Sequence, residues 1–237
     1  MKASKEKQPI TNGAAPVNRI KEIKEARLAI TAPNFQIAEF TVRGTSPYVQ
    51  NRFPNKARQQ IHDTQVSGPQ AKGKKKRQPK DFDQCYKEAM HVSEEGWPGI
   101  PATAFRNAMI AACRVTDLKM TNTKLIISIE ADGYESDATP LVKFASGEPV
   151  YHETYAQPES GGVDLRARPM WREWSAKVRI RFDADHMSLQ DLAHLLLRAG
   201  MQVGIGEGRA FSKNSNGLGW GFFTVEMDGL DEAILRK

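Results

Sequence analysis

The sequence predicts an α+β fold in which strands and helices follow one another as βαββαβ, the ferredoxin-like or RRM-like arrangement. Short stretches typical of strands are separated by two stretches with apolar residues at helical spacing. Two long polar segments interrupt this order, a basic insertion after the first strand at about residues 48–96 and a thumb-like insertion between the second and third at about 131–170. We therefore expect a single domain over residues 28–230, with a flexible N-terminal arm at 1–27 and a tail at 231–237.

The first predicted strand covers residues 35–43, where Phe35, Ile37 and Val42 stand near strand spacing. The β-branched run at residues 123–130 predicts the second strand, and the apolar run at 220–227 predicts the last.

The third predicted strand, at residues 174–182, has the most regular pattern in the chain. It alternates between an apolar and a basic face, with Val178, Ile180 and Phe182 on one and Lys177, Arg179 and Arg181 on the other. The basic face is either solvated or turned toward an anionic ligand.

Both predicted helices have clear N-terminal signals. Either Pro101 begins the first helix or Thr103 caps it, and Ser188 with Asp191 resembles a capping box at the start of the second. Gly200 is expected to end the second helix. The apolar positions recur at helical spacing: Phe105, Met109, Ile110 and Cys113 in the first helix, and Leu189, Leu192, Leu195, Leu196 and Ala199 in the second.

The basic insertion contains a run of cations with no acid among them. These are Lys72, Lys74, Lys75, Lys76, Arg77 and Lys80. Such a run is either a solvated loop tip or a phosphate-binding loop, and Tyr48, Arg52 and Arg58 nearby favour the second interpretation. A short amphipathic helix is expected at residues 81–91. In the second insertion, Tyr151, His152 and Tyr155 indicate a hairpin or flap.

A glycine-rich loop lies between the second helix and the last strand. Its glycines occupy positions 200, 204, 206, 208, 217, 219 and 221. Glycine permits positive φ and a close approach of backbone, so the loop is either a connector or a surface that follows a ligand. Arg209 and Lys213 suit an anionic ligand. Because the loop has no Gly-Lys-Ser/Thr signature, it is expected to follow a polymer backbone and not to hold a nucleoside triphosphate.

Composition sets wider limits on the protein. The chain has 237 residues, a net charge of +6 and a pI near 9.3, which weakly indicates an anionic partner. Cys85 and Cys113 have no paired spacing, so neither a disulfide framework nor a metal site is predicted, and no cofactor is implied. We find no apolar run of transmembrane length and no signal-peptide core, and expect a cytoplasmic protein without membrane contact.

Two patches of sequence resemble a known family when taken with the element order. Gly99-Ile-Pro-Ala-Thr-Ala-Phe-Arg is similar to a family motif that opens the first helix, and Gly204-Ile-Gly-Glu-Gly-Arg with Gly217-Leu-Gly-Trp-Gly is similar to its glycine-rich loop. The family is the repeat-associated (RAMP) RNA-binding superfamily, in particular the guide-RNA-binding backbone subunit of CRISPR effector complexes. The resemblance covers residues 35–227 and extends to phage or mobile-element relatives. The sequence departs from the family motif at Phe105-Arg106, where a small residue followed by Lys-Gly is usual.

The resemblance implies binding of single-stranded RNA, a guide RNA, through its backbone. It also implies a homo-oligomer or filament along that RNA, contacts with other effector subunits, and a complementary target RNA or DNA. Aromatic residues such as Phe53 or Tyr155 would stack or wedge between bases. The candidate nucleic-acid-binding residues are Arg43, Tyr48, Arg52, Phe53, Lys56, Arg58, Lys74, Lys75, Lys76, Arg77, Thr103, Arg106, Arg114, Tyr155, Gly204, Gly206, Gly208, Arg209 and Lys213.

Two alternatives belong to other functional classes. The first is an RNA endonuclease of the same superfamily, for which Asp63, Asp81 and His62 are the candidates, although they form no recognisable catalytic arrangement. The second is a non-catalytic mimic or inhibitor of such a complex, which would keep the fold and lose the basic groove. The lysine run and the basic strand face argue against the mimic.

Overall fold

The computed structural model describes residues 30–68, 79–156, 164–211, 217–226 and 234–235, apart from the side chains at 55–57, 67, 156, 234 and 235, and it has an α+β fold. In these ranges the helices are α1 (Asn55–Ser67), α2 (Phe82–Glu88), α3 (Ala102–Ala112), α4 (Met120–Ile126) and α5 (Leu189–Arg198). The strands are β1 (Phe35–Gly44), β2 (Tyr48–Val49), β3 (Gly99–Pro101), β4 (Ile127–Glu130), β5 (Gly133–Tyr134), β6 (Pro140–Ser146), β7 (Pro149–Ala156), β8 (Asp164–Trp171), β9 (Ser175–Asp183), β10 (Phe223–Val225) and β11 (Ile234–Leu235).

The main sheet is antiparallel and is centred on β1 and β9. These two strands pair along their whole length, with Phe40 opposite Val178. The outer edge of β1 is covered by β10 and β11, and the outer edge of β9 is shared by β4 and β6. The order across the sheet is therefore β10-β1-β9-β4, with β6 beside β4 on the same edge of β9. A second sheet has the order β2-β8-β7.

The apolar face of the main sheet forms the core with α3 and α5. Val178, Ile180 and Phe182 of β9 are buried, as the alternating pattern predicts, and they share one cluster with Phe105 of α3 and Leu192 of α5. Burying such side chains contributes about 1.5–3 kcal/mol each to the free energy of unfolding. The predicted helices are thus present where the helical spacing placed them.

The buried face of β1 differs from the prediction. Ala38, Phe40 and Val42 are buried, whereas 42% of Phe35 is exposed and its ring lies 4.9 Å from the guanidinium of Arg181. Successive side chains of a strand point to opposite faces, so Phe35 and Val42 cannot share one face of a regular strand. The prediction of a strand was right, but the apolar residues named for it do not share one buried face.

The second predicted strand was also too long. Residues Met120–Ile126 form α4, and only Ile127–Glu130 form a strand. Thr123 is buried in α4, where its hydroxyl donates to the carbonyl of Lys119 at 3.1 Å and accepts from the thiol of Cys113 at 3.4 Å. The bond to Lys119 is local, whereas the bond from Cys113 joins α4 to the turn after α3, and the burial of Thr123 at this contact outweighs the β-propensity of the run.

The two insertions contain more regular structure than their sequences indicate. Asp81 caps α2 through a 3.0 Å bond from the amide of Gln84, in agreement with the predicted helix, but α1 was missed because it is polar and has no apolar stripe. In the second insertion β7 and β8 form the predicted hairpin, with Tyr155 opposite Leu165.

The described residues from Pro33 onward belong to one compact unit. The arm predicted at 1–27 lies outside the described residues, and the predicted domain bounds stay a prediction. Among the helices in the described ranges, none is both long enough and apolar enough to cross a bilayer.

The two candidate N-terminal caps provide a test. The side chain of Ser188 accepts from the amide of Asp191 at 3.1 Å, whereas no side chain caps α3 and Thr103 is exposed. We expect Ser188→Ala to lower the free energy of unfolding by about 0.5–2 kcal/mol. Thr103→Ala, the matched control, should leave it unchanged or slightly raised, because alanine favours helix. Urea denaturation followed by circular dichroism measures both, and equal losses would contradict the assignment of caps.

Candidate functional site

A cleft of about 530 Å³ separates α3 from the glycine-rich loop. Thr103 and Asn107 of α3, with Arg114 in the turn that follows it, form one wall, and the loop contributes residues 203–207 together with Arg209. The two sequence motifs that resemble the RNA-binding family are therefore neighbours in space, although about a hundred residues separate them in the chain. This cleft is the candidate functional site.

The N-terminus of α3 provides one wall. β3 pairs with β6 and leads directly into the helix through Pro101, whose φ of −53° suits a helix start. No side chain caps this end, and Pro101, Thr103 and Ala104 line the cleft. The N–H groups of the first turn therefore lack intrahelical acceptors and are available to an anion.

The end of α5 sets the position of the opposite wall. The prediction that Gly200 ends this helix was wrong. The helical segment continues through a π-helical turn at Ala199–Val203, and Gly204, whose φ is +74°, ends it. Gly200 is required for a different reason: a Cβ at this position would overlap the carbonyl oxygen of Phe223. The end of this helical segment thus packs directly on β10.

The loop glycines are required mainly by contacts within the protein. A Cβ on Gly206 would lie 2.6 Å from the carbonyl oxygen of Val49, and one on Gly208 would lie 2.6 Å from the ring of Trp220. A Cβ on Gly221 would overlap the carbonyl of Ile205. All three have positive φ. Gly208 and Gly221 allow the two halves of the loop to pack closely, and Gly206 allows the loop to pack on β2. The sequence alone did not distinguish these contacts from the close approach of a ligand.

The floor of the cleft is polar but largely occupied by internal hydrogen bonds. Gln50 is buried, donates to the carbonyl of Gly99 at 2.7 Å and accepts from the amide of His91 at 2.9 Å. Tyr48 is also buried, and burial raises the pKa of its hydroxyl. Tyr48 therefore belongs chiefly to the core.

A buried carboxylate beneath the floor binds two basic side chains that lie far apart in sequence. Glu135 accepts from Nε of Arg52 at 3.1 Å and lies 2.8 Å from Nδ1 of His91. Burial lowers the pKa of His91, and the adjacent Glu135 only partly opposes this effect. His91 and Glu135 were missed by sequence reasoning, because no local spacing connects them.

Three charged groups of the cleft wall have defined partners. Glu207 accepts from Arg168 at 2.7 Å and from the side-chain amide of Asn51 at 3.2 Å, so its charge is compensated. Arg209 donates to the carbonyl of Gly206 at 2.8 Å, and the guanidinium of Arg114 lies 4.8 Å from the centre of the Phe211 ring. The arginines are held in place at the edge of the cleft.

The structure brings only part of the predicted binding set to the cleft. The members that line it are Tyr48, Thr103, Arg114, Gly204, Gly206 and Arg209. Arg106 instead donates to the carbonyl of Ile127 at 3.1 Å, which fixes α3 to β4. Arg43 pairs with Glu226, and Arg58 pairs with Asp137 at 2.9 Å. The remaining described members of the set, none of which lines the cleft, are Arg52, Phe53, Tyr155 and Gly208.

Several predicted residues lie outside the described part of the protein. Lys74, Lys75, Lys76, Arg77 and Lys213 are among them. Lys56 lies in α1, but its side chain is not described. Their predicted contacts with nucleic acid stay predictions.

The predicted basic face of β9 is neutralised by the protein itself. Lys177 pairs with Glu39 at 3.2 Å, and Arg179 pairs with Asp132 at 2.7 Å. Arg181 lies 3.8 Å from Glu130. Lys177 and Arg181 are exposed, so this face agrees with the solvated alternative, with acids on neighbouring segments compensating its charge.

Of the catalytic candidates, His62 and Asp63 are neighbours on α1, with Nδ1 of His62 3.5 Å from a carboxylate oxygen of Asp63, and Asp81 lies on a different segment. Asp81 has a structural role as the cap of α2. His62 and Asp63 are exposed on α1, where Asp63 accepts from Gln59 at 2.8 Å, and neither lines the cleft. Within the described ranges, no three histidine, cysteine or acidic side chains gather as metal ligands.

Comparisons with known proteins add no assignment to this geometry. No protein-family model and no curated protein gives a significant match to the chain.

Substitution of two glycines distinguishes the stability lost through steric overlap from the stability lost through a positive φ. Gly221 and Gly96 have φ values of +73° and +89°, but at Gly96 an added Cβ has none of the described residues within 4 Å. We expect each change to alanine to carry the positive-φ penalty of about 1–2 kcal/mol. Gly221→Ala should lose a further 1–3 kcal/mol, roughly, by overlap with Ile205. Thermal or urea unfolding measures both, and equal losses would show that the two halves of the loop do not pack as described.

The buried histidine predicts a pH dependence of stability. Because the pKa of folded His91 lies below its ordinary value of 6.5, the unfolded chain binds the proton first, and stability falls as the pH drops below 6.5. The slope of this contribution is at most about 1.4 kcal/mol per pH unit. His91→Gln should show a shallower decrease between about pH 7 and pH 5.5, whereas His194→Gln, which changes an exposed histidine, should follow the wild type. Parallel pH profiles for all three proteins would rule out this role.

Proposed function

We propose that this protein binds single-stranded nucleic acid, most favourably RNA, in the cleft between α3 and residues 203–211. The observation that carries the proposal is the convergence of three kinds of phosphate-binding group on one cleft. These are the uncapped N-terminus of α3, the guanidinium groups of Arg114 and Arg209, and the small polar side chains of Thr103 and Asn107.

The electrostatics of the cleft favour a polyanion. Glu207 is its acidic side chain, and Arg168 and Asn51 already bind both of its oxygens. With Glu207 compensated, Arg114 and Arg209 supply the charge that a phosphate backbone would meet. Contacts of this kind neutralise phosphates without reading bases, so binding with little sequence preference is expected.

Exposed aromatic rings add a means of holding bases. Phe211, at the edge of the cleft, is 42% exposed and already stacks with Arg114. Phe53 is 52% exposed, and Tyr155 on the β7–β8 hairpin is 75% exposed. Stacking on such rings tolerates any base and contributes about 1–3 kcal/mol per base in known complexes.

The strand order is consistent with a ferredoxin-like or RRM-like core. The order β10-β1-β9-β4 with helices α3 and α5 as crossovers is the order expected for βαββαβ, and it supports, at the level of topology, the proposed relationship to the RAMP superfamily. Many RRM domains bind RNA on the open face of the sheet. Here the ion pairs of Lys177, Arg179 and Arg181 occupy that face, which favours the cleft as the binding surface.

Assembly along the strand completes the proposal. A guide-RNA backbone subunit would place copies side by side, each covering a few nucleotides, with a complementary RNA or DNA as a further partner. Protein purified with bound RNA whose length increases in a fixed step would support a filament. Regularly spaced cleavage of a complementary RNA would instead favour the endonuclease alternative, and a chain that binds no nucleic acid would favour the mimic.

The two cleft arginines provide the direct test. We expect the double variant Arg114→Ala/Arg209→Ala to bind a single-stranded RNA of about 20 nucleotides at least tenfold more weakly, whatever its sequence. The plot of log affinity against log salt concentration should also become less steep, its slope losing about 1.4 in magnitude, which corresponds to roughly 0.7 for each lost phosphate contact. Fluorescence anisotropy over a range of salt concentrations gives both values.

A charge-matched control removes two arginines that do not line the cleft. Arg172 and Arg198 are exposed, and Arg172→Ala/Arg198→Ala changes the net charge by the same amount. This variant should retain nearly all of the affinity. An equal loss in both double variants would mean that binding depends on net charge alone and would refute the cleft as the site.

A further inference from the structure

A buried arginine in β8 has an incomplete set of hydrogen bonds. Arg168 is 2% exposed, and its Nη1 donates to Glu207 at 2.7 Å. Its Nη2 is buried and has no hydrogen-bond partner in the part of the chain that the structure describes. Burial lowers the pKa of Arg168, and the carboxylate of Glu207 opposes this effect. An arginine remains charged in proteins, so two N–H bonds of a buried cation are left without an acceptor.

Arg168 lines a second cleft, of about 330 Å³, between α2 and the first half of β8. Three further cationic side chains line the same cleft: Arg52, Lys80 and Arg166. Asn51 lines both this cleft and the candidate nucleic-acid site, so the two are neighbours.

The two acids of this cleft are engaged by other groups. Asp164 accepts from Lys80 and from Arg166, each at 2.9 Å. Burial opposes the ionisation of Asp164, but these hydrogen bonds outweigh it and lower its pKa. Glu88 accepts from the side chain of Gln84 at 2.8 Å. Neither carboxylate forms a hydrogen bond with Nη2 of Arg168, which therefore needs an acceptor from outside the described residues.

We propose that this second cleft binds a phosphate group, with Nη2 of Arg168 as the buried donor and Arg166 and Lys80 at the rim. The planar guanidinium is suited to phosphate oxygens, and a site that excludes water strengthens charge-assisted hydrogen bonds. The proposal does not depend on nucleic-acid binding in the first cleft. The phosphate comes either from a small phosphorylated molecule or from a strand that passes Asn51.

The test uses inorganic phosphate as the probe, titrated calorimetrically at constant ionic strength. Wild-type protein should bind it saturably at one site. Arg168→Gln should abolish this binding, and Arg166→Ala, which changes a rim residue and keeps the buried pair with Glu207, should weaken it about tenfold. Arg172→Gln is the control, because Arg172 is exposed and lies outside both clefts.

Three results would overturn the proposal. The first is the absence of saturable phosphate binding by the wild type, and the second is wild-type affinity in folded Arg168→Gln. The third is a loss in Arg172→Gln as large as that in Arg166→Ala. If Arg168→Gln does not fold, the phosphate affinity of Arg166→Ala provides the test. An affinity equal to that of the wild type would then contradict the proposal.

Competition identifies the source of the phosphate. If a strand supplies it, saturating inorganic phosphate at constant ionic strength should weaken binding of a short single-stranded RNA, and Arg166→Ala should weaken RNA binding too. If a small molecule supplies it, RNA binding should be unaffected by both changes. Because the phosphate titration contains no RNA, failure of the nucleic-acid proposal and failure of this one are distinguishable.

Discussion

The backbone contact between Ile205 and Gly221 determines the shape of the candidate site. The amide of Ile205 donates to the carbonyl of Gly221 at 3.0 Å, and the amide of Gly221 donates to the carbonyl of Pro47 at 2.7 Å. The amide of Glu207 donates to the carbonyl of Val49 at 2.9 Å. These bonds tie both halves of the glycine-rich loop to the segment that follows β1. A side chain at Gly221 would prevent them, so the wall of the cleft depends on that glycine.

This constraint links folding to the proposed function. The loop would otherwise have a large conformational freedom, because glycine loses more backbone entropy on folding than any other residue. In the described residues of the loop, its backbone hydrogen bonds and the bonds of Glu207 to Arg168 and Asn51 restrict that freedom before a ligand arrives. Arg209 is consequently presented by an ordered backbone. A site ordered in advance loses less entropy when it binds a strand than a mobile loop would.

The sequence was most informative where one local pattern determines the structure. The alternation at Val178, Ile180 and Phe182 and the cap at Ser188 depend on nearby residues alone, and the structure contains both. The network of Arg52, His91 and Glu135 could not be predicted, because its members meet only through the packing of three separate segments. The two motifs that form the cleft could be recognised in the sequence. Their proximity could not, because it results from the packing of α3 and α5 on one sheet.

Net charge is a poor guide to where this protein would attract an anion. The chain carries +6, yet the arginines most visible in the sequence, on β9, are paired with acids in the structure. Pairing leaves little field at a distance, so attraction must come from cations without a close acid. The sequence has five cations at positions 72–77 with no acid among them, whereas Lys80, the sixth cation of the run, binds Asp164. Long-range attraction and local positioning are therefore expected from different segments: the lysine run would raise the rate of encounter, and Arg114 and Arg209 would fix the strand.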